Sequence, residues 1–294
     1  MRVLLLAVCL AGLLLPAPAI GQQQTYTQRI ETWRQEREAG LRSETGWLTI
    51  AGLHWLQAGD NRVGSAADND IVLPADAAPA HVGVFRLEHG TTTFQAAPGV
   101  EVFQHGEKVQ TASLGVGAVS DALSIGRLSL WVHTSGQRFA LRLRDPDHPL
   151  RKTFTGLRWF PVDAAYRVEA RFEPYERPKS VTMLNILGDL ERFQSPGQVV
   201  FALRGQTVRL EPVVGGPNEL FFVFRDATSG TETYGAARFL HAPLPRDGRL
   251  VLDFNTAYNP PCAYNPFTTC PLPTRHNRLG LRIEAGELAY QQEP

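Results

Sequence analysis

Leu128-Ser129-Leu130-Trp131-Val132-His133 and Phe139-Ala140-Leu141-Arg142-Leu143-Arg144 decide the fold class. Side chains alternate between the two faces of a strand, so an apolar residue at every second position predicts a half-buried antiparallel strand. The same period runs outward from this pair. Val168-Glu169-Ala170-Arg171-Phe172-Glu173 alternates apolar and charged residues, and Leu250, Leu252 and Phe254 alternate with polar neighbours. Leu220-Phe221-Phe222-Val223-Phe224 is apolar throughout and predicts a strand buried on both faces, while Leu279, Leu281 and Ile283 predict the last strand. Upstream, Tyr26, Ile30, Trp33 and Leu41 recur at helical spacing among Arg, Glu and Gln. They predict one amphipathic helix within residues 22–45, packed on the body as a lid or strap. The turn-rich Asp145-Pro146-Asp147-His148-Pro149 divides the rest into two β-rich parts, 46–147 and 148–294. The expected fold is mainly β.

Composition agrees with a folded chain. Of 294 residues 43% are hydrophobic and 20% charged, which excludes intrinsic disorder and coiled coil. The 29 basic and 29 acidic residues cancel, so no overall field draws the protein to nucleic acid or anionic lipid. Met1-Arg2, the apolar run Val3 to Leu15 and the small-residue zone Pro16-Ala17-Pro18-Ala19-Ile20-Gly21 read as a signal peptide over residues 1–21. Its apolar run is shorter than the roughly 20 residues that span a bilayer. Cys9 falls inside that run, and no later stretch is apolar enough to cross a membrane. The expected location is therefore secreted or periplasmic, with Cys262 and Cys270 left as the only cysteines of the mature chain. An even cysteine count in an oxidising compartment predicts a disulfide. Closing so short a loop stabilises by about 2–3 kcal/mol. A redox pair or a metal site would more usually show Cys-x-x-Cys or His-x-x-x-His, and neither is present.

Arg62-Val63-Gly64-Ser65-Ala66-Ala67-Asp68-Asn69-Asp70-Ile71-Val72-Leu73-Pro74, followed by His105-Gly106-Glu107-Lys108-Val109, resembles a forkhead-associated domain. The resemblance implies an antiparallel β-sandwich whose loops read phosphothreonine. At the ligand positions the chain departs from the pattern: Ser65 replaces the phosphate-binding Arg, Pro79 the Ser, and His105 the Asn. Without guanidinium and hydroxyl the charge-assisted hydrogen bonds to phosphate are lost, so this part is expected to serve as scaffold. Arg138, Arg142 and Arg144 share one strand face. A solvated outer face is the expectation there, with an anion-holding stripe as the alternative.

Over the whole mature chain the sequence resembles a bacterial family known as domain of unknown function 1684. The matching strings are Gly46-Trp47-Leu48-Thr49-Ile50-Ala51-Gly52-Leu53-His54-Trp55-Leu56, Gly156-Leu157-Arg158-Trp159-Phe160-Pro161-Val162-Asp163, Phe224-Arg225-Asp226-Ala227-Thr228-Ser229-Gly230, Tyr234-Gly235-Ala236-Ala237-Arg238-Phe239-Leu240 and Leu252-Asp253-Phe254-Asn255-Thr256-Ala257-Tyr258-Asn259-Pro260-Pro261-Cys262-Ala263-Tyr264. The resemblance brings no activity, ligand or cofactor with it.

Candidate site residues therefore come from the chemistry of the side chains. Arg225, Asp226, Thr228, Ser229, Tyr234, Arg238, Asp253, Asn255, Tyr258, Asn259, His276 and Asn277 crowd into about fifty residues. Carboxylates, Arg, Asn and Tyr are what a pocket for a small polar or glycan-like ligand uses. A binding module in the C-terminal half is the first reading. The second is a cofactor-independent hydrolase with Asp226 or Asp253 as base and His276 as acid. Against both stands a structural reading, in which Asp226 or Asp253 pairs with Arg225 or Arg238 and accepts backbone N–H bonds from the 228–230 turn. A third reading docks another envelope protein on sandwich loops through residues such as Arg62 and His105. No Gly-x-Ser-x-Gly, Walker loop or His-Glu-x-x-His occurs, and no cofactor or metal is expected.

Overall fold

The structure is a computed structural model and describes residues 24–291. The expected signal peptide lies outside the described residues. The helix spans Tyr26–Arg42 and starts at a capping box, in which Thr25 and Gln28 each accept the other's backbone N–H. Its inner face carries Ile30 and Leu41, and Trp33 meets Trp159 edge-on at 5.6 Å. The predicted strap thus lies along the C-terminal body. Tyr26 donates to Asp253 at 2.8 Å, Arg34 to the Phe160 carbonyl at 3.0 Å, and Arg42 to the Phe154 carbonyl at 3.0 Å.

Two sheets form the N-terminal body. One runs in the order Ile50–Trp55, Arg138–Arg144, Leu128–Ser135, Leu123–Ile125, Phe103–Gln104, Glu107–Lys108; the other Ile71–Val72, Gly59–Gly64, Gly83–Glu88, Thr91–Ala96, Thr111–Leu114. All pairs are antiparallel except Gly59–Gly64 with Ile71–Val72. The alternating residues Leu128, Leu130, Val132, Leu141 and Leu143 face Phe85 and Phe94 of the other sheet in one core. The Gly-Ser…Asn-Asp string is structural stitching. Asn69 donates to the carbonyls of Ala66 and Ala80 at 2.8 Å each, and Asp70 accepts the Arg62 backbone N–H at 2.8 Å. A Cβ on Gly64 would sit 2.2 Å from the Ala80 carbonyl oxygen, so only glycine allows that close approach.

The C-terminal body also has two sheets, ordered Gln206–Leu210, Leu190–Leu203, Arg167–Leu184, Arg249–Asp253 and Val213–Gly216, Glu219–Phe224, Arg238–Pro243. Leu220, Phe222, Phe224, Leu240, Leu250, Leu252 and Phe254 fill its core. The segment with Leu279, Leu281 and Ile283 departs from expectation: it bends at 280–281 and forms no strand. It bonds Arg225 and Ala227 through Leu279 and Leu281, and then the Ile283 N–H donates at 2.6 Å to the Asp226 carboxylate where a ladder carbonyl would stand.

The arginine stripe also departs from expectation. The C-terminal body covers part of its face: Arg142 is only 6% exposed, whereas Arg138 at the edge stays exposed. Each arginine lies over a tryptophan: Arg138 over Trp55 at 3.8 Å, Arg142 over Trp47 at 5.7 Å, Arg144 over Trp131 at 5.0 Å. Partners from the second body complete the junction. Arg138 pairs with Asp189, Arg142 donates to Thr269 Oγ1 at 3.3 Å, and Asn265 donates to the carbonyls of Trp47 and Ile50 at 3.0 and 2.6 Å.

Candidate functional site

Most of the sequence-predicted cluster lies inside the protein. Arg238 is fully buried and meets Asp226 at 3.2 Å. Nη1 and Nη2 also reach the carbonyls of Ile283 at 2.9 Å and of Ala285, while the buried Nε has no partner among the described residues. Asp226 also accepts from Thr228 Oγ1 at 2.9 Å and its N–H at 3.3 Å, and from Ser229 Oγ at 3.4 Å. Burial holds the Arg238 guanidinium below its ordinary value, against the pull of Asp226. The pairing of Asp226 with Arg238 and the 228–229 turn is the structural arrangement weighed above.

The other members are spread apart. Asp253 and Asn255 form a node under the helix: Asn255 donates to Asp163 O at 2.8 Å and Tyr26 Oη at 2.9 Å, and Asp253 accepts from Tyr26. Asn277 is buried and bridges Glu211 and Val223 through three backbone bonds. Arg225 engages the 277–279 segment through its backbone, and Tyr234 donates to the Cys262 carbonyl at 3.3 Å. His276 is exposed on the Arg275–Asn277 turn. The twelve residues do not converge on one cleft, and His276 is not brought to either carboxylate.

Only Tyr258 and Asn259 of the twelve line a pocket of about 330 Å³, walled also by Trp47, Phe221, Phe239, His241 and Tyr264, with Arg37 of the helix. Strand register explains its lining. Glu219 and Phe221 share one face of their strand, Phe239 and His241 share a face of the next, Phe221 pairs with His241, and Phe239 pairs with Tyr258. The opposite faces carry the core residues Leu220, Phe222 and Leu240. The apolar run at 220–224 thus packs that core with one face, while on the other Val223 and Phe221 pack with Val213, Met183 and Phe239 in a second cluster whose Phe221 and Phe239 line the pocket.

On this lining face three groups form a chain. Glu219 Oε1 lies 3.0 Å from His241 Nδ1, and His241 Nε2 lies 2.8 Å from Tyr258 Oη. A carboxylate only accepts, so Nδ1 carries a hydrogen, and in the neutral imidazole Nε2 is then the acceptor to which the Tyr258 hydroxyl donates. Burial, opposed by Arg37, pushes the Tyr258 phenol up to about 12. The Arg37 guanidinium stacks over the Tyr258 ring at 4.2 Å. It is held by Glu287 at 2.8 Å and by the Asn259 carbonyl at 2.9 Å. Its Nη1 has no protein partner among the described residues and is not sealed from solvent. Glu287 is buried, bonded to Asn259 Nδ2 at 2.9 Å and to the Tyr264 hydroxyl, and burial raises its carboxyl.

Sequence reading missed Glu219, His241, Arg37 and Glu287. A polar residue two positions from an aromatic one in each strand, Glu219 with Phe221 and His241 with Phe239, is the available signal. It becomes legible only when the register of the two strands is known.

The expected disulfide is not formed in the structure. Cys262 and Cys270 are free thiols side by side, with the Cys262 backbone N–H 3.2 Å from Cys270 Sγ. Their mutual hydrogen bond pushes the Cys262 thiol up and the Cys270 thiol down. The loop between them carries Tyr264 into the pocket wall and Asn265 and Thr269 into the sandwich. Among the described residues no group of three His, Cys, Asp or Glu side chains is arranged to hold a metal, and no helix is long and apolar enough to cross a membrane.

Residues 152–288 match a family described as "Protein of unknown function (DUF1684)", so the match covers the C-terminal body and not the whole chain. No curated protein matches the chain. Among solved structures, an uncharacterized protein of Haloarcula marismortui is 35% identical over 47% of this chain and 78% of its own, with a TM-score of 0.40. The FHA-2 domain of a Mycobacterium tuberculosis ABC transporter is 31% identical over 30% of this chain and 77% of its own, with a TM-score of 0.24. The FhaA FHA domain is 16% identical over 31% of this chain and 97% of its own, with a TM-score of 0.23. The protein is thus mainly β, with forkhead-associated domains among its structural neighbours, and carries an uncharacterised DUF1684 region.

Proposed function

We propose that the protein is a secreted or periplasmic binding module whose C-terminal body takes a small ring-bearing, glycan-like ligand with a negatively charged substituent. The observation that carries this reading is the aromatic pocket with an unspent Arg37 Nη1 at its wall. Its volume is near the lower end of small-molecule sites, enough for one ring. Trp47 is 41% exposed and offers an open face for stacking, and a guanidinium edge recognises a carboxylate. The sequence pattern of residues 1–21 supports export, and the neighbouring Cys262 and Cys270 thiols support a pair that an oxidising compartment would bond.

The test is titration calorimetry with glucuronate, glucose and benzoate against the mature protein and its Trp47→Ala variant. Glucuronate is expected to bind more tightly than glucose, and Trp47→Ala to weaken it about tenfold, the loss of one stacked aromatic contact. No binding of any of the three, or equal binding by the variant, sinks the reading.

A further inference from the structure

The Tyr258 hydroxyl sits at the end of a carboxylate–imidazole chain and at the wall of a pocket, which is more than a ligand stacking site needs. We propose that Glu219, His241 and Tyr258 form a nucleophilic relay for acyl transfer, with ring-bearing esters as its substrate class. The proposal rests on the pocket being the ligand site and adds chemistry to it.

The geometry fits a base-activated nucleophile. A hydroxyl within hydrogen-bond reach of an imidazole, whose other nitrogen is oriented by a carboxylate, is the recurring arrangement for such activation. Here the distances are 2.8 Å from Tyr258 Oη to His241 Nε2 and 3.0 Å from His241 Nδ1 to Glu219. The imidazole is fixed in its plane by stacking on Phe221 at 4.8 Å and lying parallel to the Tyr258 ring at 5.9 Å. Arg37, stacked on the Tyr258 ring, lowers the energy of the anion that forms on the phenol oxygen.

The steps balance. Tyr258 Oη attacks the ester carbonyl carbon as its proton passes to His241 Nε2, and the imidazolium is held by Glu219. The C–O bond to the leaving alcohol breaks, and that alcohol takes the proton from His241. Water then attacks the acyl-tyrosine, giving its proton to His241; the phenolate of Tyr258 leaves and recovers that proton. The free acid is released and no oxidant or cofactor is consumed. The proton moves together with bond formation, so the reaction does not require a standing phenolate.

This assignment also moves catalysis away from Asp226, Asp253 and His276. Asp226 is saturated with internal bonds, Asp253 is tied to Tyr26 and Asn255, and His276 stands on a separate turn.

The test is covalent labelling with phenylmethanesulfonyl fluoride, in which the phenol oxygen displaces fluoride from sulfur and the phenolic proton leaves through His241. Peptide mass spectrometry should place the adduct on Tyr258 in preference to the other six tyrosines. Labelling should be absent in Tyr258→Phe and fall about 100-fold or more in His241→Gln, the range of a lost general base. Glu219→Gln should lose about tenfold at Tyr258 with an unchanged circular dichroism spectrum, the cost of a misplaced tautomer. Adduct on another residue, or an unchanged rate at Tyr258 in both relay variants, overturns the proposal. Glucuronate binding without Tyr258 labelling leaves the binding module and removes the relay. Relay-dependent labelling without glucuronate binding retains the relay and removes the ligand class.

Discussion

Asp226–Thr228–Arg238 and Glu219–His241–Tyr258 both join a carboxylate, a nitrogen-bearing side chain and a hydroxyl, yet they differ in where their hydrogen-bonding capacity points. In the first, the carboxylate accepts from Arg238, Thr228 and the Ile283 backbone, all sealed from water. In the second, the Tyr258 hydroxyl spends its hydrogen on His241, and Tyr258 and His241 both line a pocket. The density of polar residues is the same signal in both cases. What separates a folding node from a site is spare capacity directed at empty space, which density alone does not report.

The sharpest way to break the comparison is to remove one partner of the buried node. Asp226→Ala strands a fully desolvated guanidinium, and breaking such a pair costs about 3–5 kcal/mol. Denaturant unfolding should show this loss, and the double variant Asp226→Ala/Arg238→Met should lose clearly less than the two single changes added together. An Asp226→Ala loss below about 1 kcal/mol would show that the node is not the anchor its burial implies.

The loop between Cys262 and Cys270 links the two regions, since it supplies Tyr264 to the pocket and Asn265 to the sandwich. Protein recovered from an oxidising compartment is expected to show no free thiol when denatured without reductant. Its stability should exceed that of Cys262→Ser by about 2–3 kcal/mol, and by nothing once reduced. Two titratable thiols would show that the pair works as dithiol and that the loop is held by its hydrogen bonds alone.

At the junction, His133 gives a pH signature. Burial, with help from Arg142, depresses its imidazole from the ordinary 6.5 to about 4. Between those values the unfolded chain binds more protons than the folded one, so stability rises with pH there. This contribution is complete above about pH 6.5 and is lost as pH falls through that window. His133→Gln keeps a donor for Thr269 and should flatten the change in unfolding free energy between pH 6.5 and 4. An unchanged slope would show that His133 is charged in the folded protein.

How much of this was legible in the sequence follows from what each residue needs. Period-two alternation in Leu128–Val132 and Phe139–Leu143 specified strands because it depends only on local pleat. The helix at Tyr26–Arg42 was equally legible, down to the residues of its inner face, Ile30 and Leu41. The segment Leu279–Ile283 showed the same alternation but lacked a strand to complete its ladder, since Asp226 occupies one of the positions. The arginine stripe had the pattern of a solvated face, and only the second body, through Asp189 and Thr269, made it an interface. For the site, Tyr258 and Asn259 were found from their type. Glu219 and His241 lie 22 positions apart, and cross-strand pairing rather than spacing joins them.

The smallest expected effects finish the comparison. Glu219 and His241 are themselves partly exposed, beside the packed Val223 and Phe239 of the same sheet face, so Glu219→Gln and His241→Gln should each change stability by no more than about 0.5 kcal/mol. His276→Ala, on its exposed turn, should do the same and leave glucuronate binding untouched. Measured beside Asp226→Ala in one unfolding series, these variants ask whether the protein separates the residues that hold it together from those that meet a ligand. If Glu219→Gln unfolds the chain as readily as Asp226→Ala does, the relay is a structural clasp across the pocket mouth, and the distinction drawn from open hydrogen-bonding capacity fails at its most exposed member.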